Sequence, residues 1–461
     1  MSDRSPVAPS QTTRQRGALL RFLVALRRLP PAKLLLLGYV SYILIGWIVL
    51  ALPLSQSAPV AALDTLFIAT SAVSTTGLVS VDPGTSFTFA GELTILLLIQ
   101  IGGLGYMTIG SYALLIISNR MGRLREETVR EAFHLPKTIR PAMFLRSVVI
   151  YTLLIEALGA LALYLFFRAE GVENPIWSAI FHAISAFCTA GFSLNPNSFE
   201  DFTGHTGIVL TLSILSILGA VGFLVVVDFL RAVRGRDRRL GVTSRVILRV
   251  TFAFLVVGTL LLMVAEPSLQ ALPAEDRLKA AFFQVMTAST TVGFNTVPVG
   301  ALAIPALMLT MFLMIIGASP AGTGGGLRTT AFAALSGLVR STTHGRDTIR
   351  FMGHVVPGPQ LQAATAALAF YLGILTIAMF LLGLTDATLG FEQLMFEAIS
   401  ALGTVGLSMG ITGDLSPLGK VIVIVLMTAG RVGILTFGIA LATREDEETP
   451  EVRDDEGELV I

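Results

Sequence analysis

The sequence predicts an all-α membrane protein built from four tandem repeats, and three observations lead to this prediction. The chain has 461 residues, of which 53% are hydrophobic and 14% are charged, and its mean hydropathy is +0.77. Soluble domains carry about 25% charged residues, so this composition indicates a bilayer. The second observation is an alternation of long and short apolar runs. The third is a sequence pattern that occurs four times.

The pattern surrounds four glycines, which we call the filter glycines: Gly77, Gly191, Gly293 and Gly406. The copies read FIATSAVSTTG, FHAISAFCTAG, FQVMTASTTVG and FEAISALGTVG. Each has Phe ten residues before the glycine, Ser or Thr six before it, and Thr two before it. Successive glycines are 114, 102 and 113 residues apart, which indicates one structural unit used four times.

Each repeat begins and ends with an apolar run of about 20 residues, the length of a membrane-spanning helix. Between the two runs lies a shorter apolar stretch that leads into the Thr-x-Gly. These stretches, about 61–75, 175–189, 278–291 and 390–404, are predicted to be re-entrant pore helices followed by extended loops. Such backbone is stable at membrane depth only where it lines a water-filled cavity. The prediction is therefore eight spans, as four membrane–pore-helix–membrane repeats, around one pore.

The predicted boundaries follow from these runs and from changes in charge. The N-terminal segment is rich in Arg, and the C-terminal segment is acidic. The sixth long run contains a Gly-rich interruption at 317–326. The segments are an N-terminal arm at 1–33, repeats one to four at 34–118, 141–230, 245–340 and 361–441, and a tail at 444–461.

Charge predicts the orientation. Arg and Lys cluster in the N-terminal arm and in the connections 119–146, 228–249 and 328–350. By the positive-inside rule, both termini are cytoplasmic and the four loops enter a cell membrane from outside. An acidic outer mouth would raise the local cation concentration, although each of these carboxylates could equally be an ordinary solvated side chain. The outer carboxylates are Asp64, Asp82, Glu173, Glu200, Asp201, Asp386 and Asp414.

Four loops meeting on one axis suit a desolvated cation, because backbone carbonyls can replace its hydration shell. Glycine permits the backbone angles that this needs, and each pore helix directs the negative end of its dipole at the ion. The loops contain no Asp or Glu, which favours monovalent over divalent cations. The predicted filter loops are Ser74, Thr75, Thr76 and Gly77; Cys188, Thr189, Ala190 and Gly191; Thr290, Thr291, Val292 and Gly293; and Gly403, Thr404, Val405 and Gly406.

The interruption at 317–326, which we call the gate loop, contains five glycines and one proline in ten residues. A membrane helix cannot stay regular there, so the segment could block and open the pore, or it could be a static kink. Arg431 is the single charge in the last span, and a cation at that depth has a function, either as a barrier to cations or as a structural pin. The candidate gate residues are Gly317, Gly322, Thr323, Gly324, Gly325, Gly326 and Arg431.

These motifs resemble the Ktr/Trk/HKT superfamily of potassium-translocating proteins over essentially the whole chain, and most closely the membrane subunits of bacterial Ktr systems. IGASPAGTGGGLRT at 316–329 resembles the family's intramembrane gating loop, and TAGRVGI at 428–434 holds the arginine that the family places below its filter. Glycine at all four filter positions resembles potassium-selective members.

The resemblance implies that K⁺ is the transported ion and that the protein is a homodimer with one pore per protomer. It also implies a cytoplasmic ring of KtrA-like regulatory subunits that bind ATP or ADP, and it allows activation by Na⁺. A Trk-like or Na⁺-permeable member of the superfamily is the alternative.

Two other classes fit less well. A secondary transporter of an organic substrate would have inverted repeats around a midplane pocket, whereas these repeats share one orientation. A membrane-embedded enzyme would need a catalytic constellation, and the one cysteine, Cys188, falls in a filter loop. Five scattered histidines lack metal-ligand spacing, and a net charge of +1 gives no reason to expect nucleic acid. We therefore expect no catalytic residue, no metal site and no tightly bound cofactor.

Overall fold

The computed structural model describes residues 31–105, 141–233, 240–346 and 348–441. Almost all of the predicted N-terminal arm, most of the basic connection at 119–146 and the whole acidic tail lie outside these residues. The regular secondary structure of the described residues is helical, apart from one antiparallel hairpin of β1 (Arg350–Phe351) and β2 (His354–Val355). The chain is therefore all-α, as its composition predicts.

The first repeat begins with an apolar helix that enters a pore helix. The helices are α1 (Pro31–Leu50), the pore helix α2 (Ala62–Ser74), the short α3 (Pro83–Ser86) and α4 (Phe89–Leu104). Helix α2 ends because Thr75 adopts a left-handed conformation, with φ of 51°. Pro83 starts α3, where a proline is tolerated because the first turn has no intrahelical N–H bond to lose.

The second repeat has the same plan, and its last helix is sharply bent. Its helices are α5 (Pro141–Ala169), the pore helix α6 (Pro175–Phe187), α7 (Thr206–Val221) and α8 (Phe223–Val233). Helices α7 and α8 meet at an angle of 92°. The bend falls on Gly222, whose φ of 92° is allowed for glycine and strained for other residues.

The third repeat is interrupted in its second apolar helix by the Gly-rich segment. Its helices are α9 (Val242–Ala265), α10 (Pro267–Gln270), the pore helix α11 (Ala274–Thr290), α12 (Ile304–Ile315) and α13 (Thr329–Thr343). Between α12 and α13 the backbone is not helical. The break contains the gate loop predicted at 317–326.

The fourth repeat follows the β1–β2 hairpin. Its helices are α14 (Gly358–Thr385), the pore helix α15 (Phe391–Gly403), α16 (Pro417–Val432) and α17 (Ile434–Leu441). Helices α16 and α17 meet at 106°, at Gly433 with φ of 97°. All four pore helices begin and end within four residues of their predicted boundaries.

The four repeats close into a ring in sequence order. The helix that follows each filter loop packs against the pore helix of the next repeat: α4 against α6, α7 against α11, α12 against α15, and α16 against α2. An ion pair of 2.7 Å between Lys420 Nζ and Asp64 Oδ1 joins repeat four to repeat one. The phenylalanine that opens each copy of the pattern is fully buried in this ring.

In the part of the chain that the structure describes, four helices are long and apolar enough to cross a membrane: α1, the part of α5 from Leu145, α9 and α14. The bent pairs α7–α8 and α16–α17 raise the number to as many as six among the described residues. Helices α4 and α12 are apolar but shorter, so the total of eight spans stays a prediction. Large apolar side chains such as Ile48, Leu260 and Phe380 are more than half exposed, as expected for a lipid-facing surface.

Candidate functional site

The four pore helices end in the same unusual conformation. The threonine two residues before each filter glycine, which we call the filter threonine, has a positive φ: Thr75 51°, Thr189 51°, Thr291 57° and Thr404 49°. Positive φ is rare for a β-branched residue and requires support from its surroundings. The filter glycines also have positive φ, with values of 92°, 67°, 86° and 94°. The sequence repeat is thus a repeat of backbone conformation.

Each filter glycine lies directly against the loop of the next repeat. A Cβ added to any of them would overlap a backbone carbonyl oxygen of that loop. The pairs are Gly77 with Ala190, Gly191 with Val292, Gly293 with Val405, and Gly406 with Thr76. The order runs from repeat one to four and back to one, so the four loops form a closed ring about one axis.

Backbone hydrogen bonds orient the loop carbonyls. In every repeat the residue before the filter glycine donates its N–H to the carbonyl of the Ser or Thr five residues earlier, over 2.8–3.1 Å. Because N–H and C=O point in opposite directions across a trans peptide, the filter threonine's carbonyl points away from its pore helix. The four bonds run from Thr76 to Ser71, from Ala190 to Ser185, from Val292 to Thr287, and from Val405 to Ser400.

The Ser side chains at this position add further hydrogen bonds, of one kind in repeats one and four and of another in repeat two. Ser71 Oγ accepts from Gly77 N over 3.0 Å, and Ser400 Oγ accepts from Gly406 N over 3.1 Å. Ser185 Oγ donates instead to the carbonyl of Phe192 over 2.8 Å. The residue type was visible in the repeated pattern, but its role depends on these contacts.

The sixteen predicted filter residues occupy equivalent places. Ser74, Thr290 and Gly403 are the last residues of their pore helices, and Cys188 directly follows α6. All sixteen are buried except Gly191 and Gly406, which are partly exposed. The Cys188 thiol lies 3.7 Å from Glu156 Oε1 on α5, so this side chain faces the surrounding helices.

The gate loop lies against all four filter threonines. Thr75 Oγ1 is 3.5 Å from the carbonyl oxygen of Thr323, and Thr189 Oγ1 donates to Thr323 Oγ1 over 3.1 Å. A Cβ on Gly324 would overlap Thr291 Oγ1, and one on Gly325 would overlap Thr404 Oγ1. The segment therefore covers one end of the ring.

Backbone bonds join the gate loop to the bend in repeat two. Ser319 N donates to the carbonyl of Ala220 over 3.1 Å, and Thr323 N donates to that of Gly219 over 3.2 Å. The predicted gate glycines allow this packing. Gly317 has no room for a Cβ against Gly325, Gly322 has none against Ala220, and Gly326 has a φ of 74°.

Two arginines donate to the gate loop. The Arg431 guanidinium donates to the carbonyls of Thr323 and Gly102. Arg328 Nη1 donates to the carbonyl of Gly324 over 2.7 Å. The sequence prediction included Arg431 and missed Arg328, although a second arginine directly after GGGL was a visible signal. Both side chains hold the loop under the ring, and each places positive charge there.

Breaks occur in the second apolar helix of repeats two and four as well as repeat three, whereas the sequence predicted only the third. Helix α4 ends at Gly105 with φ of 78°, and α7 and α16 end at Gly222 and Gly433. These three breaks and the end of α4 follow the filter glycines at similar distances along the chain. Interrupted helices thus surround the end of the ring that the gate loop covers.

The predicted outer carboxylates are largely engaged within the protein. Asp386 Oδ1 accepts from Ser416 N over 2.6 Å, and Asp64 pairs with Lys420. Glu200 Oε1 accepts from Asn295 Nδ2 over 2.7 Å. Burial raises the pKa of Glu200 above its ordinary value, and the hydrogen bond from Asn295 offsets part of that rise. These carboxylates tie loops together, which weakens the prediction of a freely acidic mouth.

An all-helical membrane protein whose four re-entrant loops close around one axis has the architecture of a cation channel or transporter. Residues 41–449 match the TrkH family, described as a cation transport protein, and the chain belongs to this family. The family assignment confirms the superfamily resemblance seen in the sequence motifs.

Several characterised proteins are similar over nearly their whole length. Ktr system potassium uptake protein B of Bacillus subtilis is 33% identical over 94% of this chain and 97% of its own. The protein of the same name from Vibrio alginolyticus is 35% identical over 90% and 91%. Potassium/sodium uptake protein NtpJ of Enterococcus hirae is 33% identical over 91% and 94%. The potassium transporter TrkH of Vibrio parahaemolyticus shares the fold, with a TM-score of 0.69 at 22% identity over 88% and 84%.

Proposed function

We propose that this chain is the ion-translocating subunit of a potassium uptake system and moves K⁺ across the cell membrane. The observation that carries the proposal is the closed ring in which each filter glycine meets a carbonyl of the next loop. The names of the two Ktr relatives support K⁺ as the ion. The name of the Enterococcus hirae relative keeps a Na⁺-permeable transporter as the alternative.

The proposed filter works by replacing water around the ion with backbone oxygens. Carbonyls from the four filter loops supply these oxygens without fixed charge, which suits a monovalent cation. The dipoles of four pore helices add negative potential from their C-terminal ends. Any side chain at a filter glycine would push one carbonyl out of the ring, so ion discrimination should depend on all four glycines.

The gate loop in this proposal is a barrier that must move before ions pass. Its backbone occupies the end of the ring, and Arg431 and Arg328 donate to its carbonyls. Opening would then require those bonds to break and the positive charges to move away from the ion path. A static kink would need no such movement, and it predicts no gain of flux when either arginine is removed.

The regulatory part of the proposal rests on the resemblance to Ktr systems. It comprises a homodimer, a cytoplasmic KtrA-like ring that binds ATP or ADP, cytoplasmic termini, and activation by Na⁺. Binding energy between the ring and the membrane subunit would shift the gate loop only if the ring prefers one of its positions. Uptake measured with and without such a ring therefore tests this part separately.

The direct test is uptake of radioactive ⁸⁶Rb⁺ into proteoliposomes, with K⁺ and Na⁺ as competitors, by the wild type and by Gly293→Ser. We expect K⁺ to block uptake far better than Na⁺ in the wild type, and the variant to lose flux or discrimination. Gly171→Ser is the matched control, because Gly171 also has a positive φ but a Cβ added there would meet no atom within 4 Å. Lack of Rb⁺ flux with and without a regulatory ring would contradict the proposal and favour an organic-substrate transporter.

A further inference from the structure

Two positions flanking the filter loops differ between alternate repeats. Nine residues before the filter glycine, on the pore helix, the four repeats have Ile68, His182, Gln284 and Glu397. Two residues after the glycine they have Val79, Ser193, Asn295 and Ser408. Repeats two and four thus pair a hydrogen-bonding side chain on the pore helix with a serine beyond the filter, and repeats one and three do not.

In repeat two, His182 binds the residues that follow the filter loop. Its Nε2 accepts from Leu194 N over 3.2 Å and lies 3.0 Å from Ser193 Oγ. Because Nε2 accepts from a backbone N–H, the ring proton is on Nδ1, which donates to the carbonyl of Ser178 over 2.8 Å. Ser193 Oγ also accepts from Asn195 N over 3.0 Å. The fully buried histidine therefore ties its pore helix to the residues that follow filter loop two, a connection that we call the brace.

Repeat four makes the equivalent connection with different residues. Glu397 is fully buried, and its Oε1 accepts from Ser408 Oγ over 3.3 Å and from Thr412 Oγ1. Ser408 Oγ accepts from Gly410 N over 2.9 Å, just as Ser193 Oγ accepts from Asn195 N. In both repeats the donor lies two residues after the serine. A brace between the pore helix and the serine beyond the filter thus occurs in both of the repeats that face each other across the ring.

Repeats one and three lack this connection. Ile68 and Val79 have no polar side-chain atom to offer. Neither amide atom of the buried Gln284 has a hydrogen-bond partner among the described residues, and the Asn295 side chain bonds to Glu200 and to the carbonyl of Val297 instead. The bracing is therefore twofold, although the filter backbone is nearly fourfold.

We propose that His182 and Glu397 are positioning residues for ion selection, because they fix the backbone beyond filter loops two and four. The inference rests on the proposed function, since it names residues that tune the same filter. A carbonyl filter discriminates between ions through the spacing and stiffness of its oxygens. Filter loops two and four, which lie opposite each other and are connected to His182 and Glu397, keep that spacing. Filter loops one and three adjust to the ion.

The test compares alanine variants at equivalent positions of two repeats. In proteoliposomes, Glu397→Ala should reduce the ratio of K⁺ to Na⁺ competition against ⁸⁶Rb⁺ uptake by about tenfold, the effect of losing one ordinary hydrogen bond. Gln284→Ala is the matched control, because it truncates a similar buried side chain that makes no brace, and it should keep the ratio. His182→Ala should resemble Glu397→Ala.

Glu397→Gln separates bracing from charge. Glutamine keeps one carbonyl oxygen that can accept from Ser408 and Thr412, so the proposal predicts that this variant restores the ratio that alanine loses. A ratio as low as that of Glu397→Ala would overturn the brace and assign the effect to the negative charge. An equal loss in Gln284→Ala would overturn it as well, because any truncation behind the filter would then suffice.

Folding and the proposed function are controlled separately. Each variant is first checked for a monodisperse elution profile. If the alanine variants fail that check, Ser193→Ala and Ser408→Ala remove one hydroxyl each and should still lower the ratio. A wild type without Rb⁺ uptake would overturn the proposed function. A K⁺-selective wild type whose ratio is unchanged in all of these variants would overturn the brace alone.

Discussion

The filter is defined by four positions at which a side chain is missing. Each filter glycine approaches a carbonyl oxygen of the next loop more closely than any Cβ allows. The filter threonines add a second constraint, because their left-handed backbone turns the chain from helix into loop. Ser71 and Ser400 then bind the glycine N–H groups. In a trans peptide the C=O points opposite to the N–H, so the carbonyls of Thr76 and Val405 point away from these serines. Backbone oxygens can therefore form the ring without charged residues.

Replacement of Arg431 gives the first prediction. Arg431→Ala removes the donors to the carbonyls of Thr323 and Gly102, so the gate loop loses a pin and the path loses a positive charge. We expect several-fold higher ⁸⁶Rb⁺ uptake in the absence of a regulatory ring. Arg431→Lys keeps the charge but cannot bond two separate carbonyls as well, so it distinguishes the barrier from the pin. Unchanged uptake in Arg431→Ala, with an intact elution profile, would contradict both roles.

Arg328 has a related but separate role. Its guanidinium bonds the carbonyls of Ser319 and Gly324, near the two ends of the gate loop. Arg328→Gln should loosen the loop and raise basal uptake, by less than Arg431→Ala because it leaves the bond to Thr323 intact. Arg340→Gln, on the exposed end of α13, is the control and should leave uptake unchanged. Equal uptake in Arg328→Gln and the wild type would show that this arginine does not hold the loop.

Among the structural elements, the gate loop has little room for added volume. A Cβ on Gly324 would overlap Thr291 Oγ1 and come within 2.6 Å of Ala318 Cβ. Gly324→Ala should therefore displace the loop from the ring and raise uptake without the regulatory ring. Gly373→Ala, in α14 with no atom within 4 Å, is the control. Lower uptake in Gly324→Ala at unchanged protein yield would indicate that the loop is part of the conducting path and that its displacement closes the pore.

The broken helices of repeats two and four show where sequence patterns stop being informative. The gate loop was predictable because five glycines and a proline fall within ten residues. Gly222 and Gly433 each follow one other glycine, Gly219 and Gly430, by three residues, and glycine at that density is common in membrane helices. Their breaks depend on contacts between repeats, such as the docking of the gate loop on Ala220 and Gly219.

At the scale of the whole molecule, one ion pair closes the ring between the first and last repeats. Lys420 and Asp64 are 13% and 16% exposed, so loss of one partner leaves a poorly solvated charge. Lys420→Ala should lower the midpoint of thermal unfolding in detergent, because the free energy of unfolding falls by about 1 kcal/mol or somewhat more. A double variant with Lys420→Asp and Asp64→Lys exchanges the two charges and should recover part of the lost unfolding free energy. Lys279→Ala breaks ion pairs with the better solvated Glu275 and Asp276 and two bonds to Gly204 and Thr206; it should have the smaller effect, because the carboxylates left behind are more exposed than Asp64.

The orientation is testable with single cysteines. Glu173 and Thr342 are both exposed and lie at opposite ends of the predicted topology. In intact cells, a membrane-impermeant maleimide should label Glu173→Cys and should reach Thr342→Cys only after permeabilisation. Cys188 is buried and serves as the unlabelled background. Labelling in the reverse order would contradict cytoplasmic termini.

The fold was largely predictable because four copies of one pattern fix both the period and the pore helices. The filter residues could be chosen from the same pattern. The meeting of the four loops on one axis was predicted too, but the contacts that close the ring could not be, because they join residues more than a hundred positions apart. The roles of Arg328, His182 and Glu397 were missed for the same reason: a single polar residue in an apolar run shows that it needs a partner, but not which one.

The most direct test of the central claim is to locate Rb⁺ in crystals of the protein by its anomalous scattering. The account predicts peaks on the ring axis, within coordination distance of the carbonyls of Thr76, Ala190, Val292 and Val405, and weaker peaks in Gly293→Ser. Rb⁺ peaks away from the axis, with an empty axis in a protein that transports Rb⁺, would contradict it.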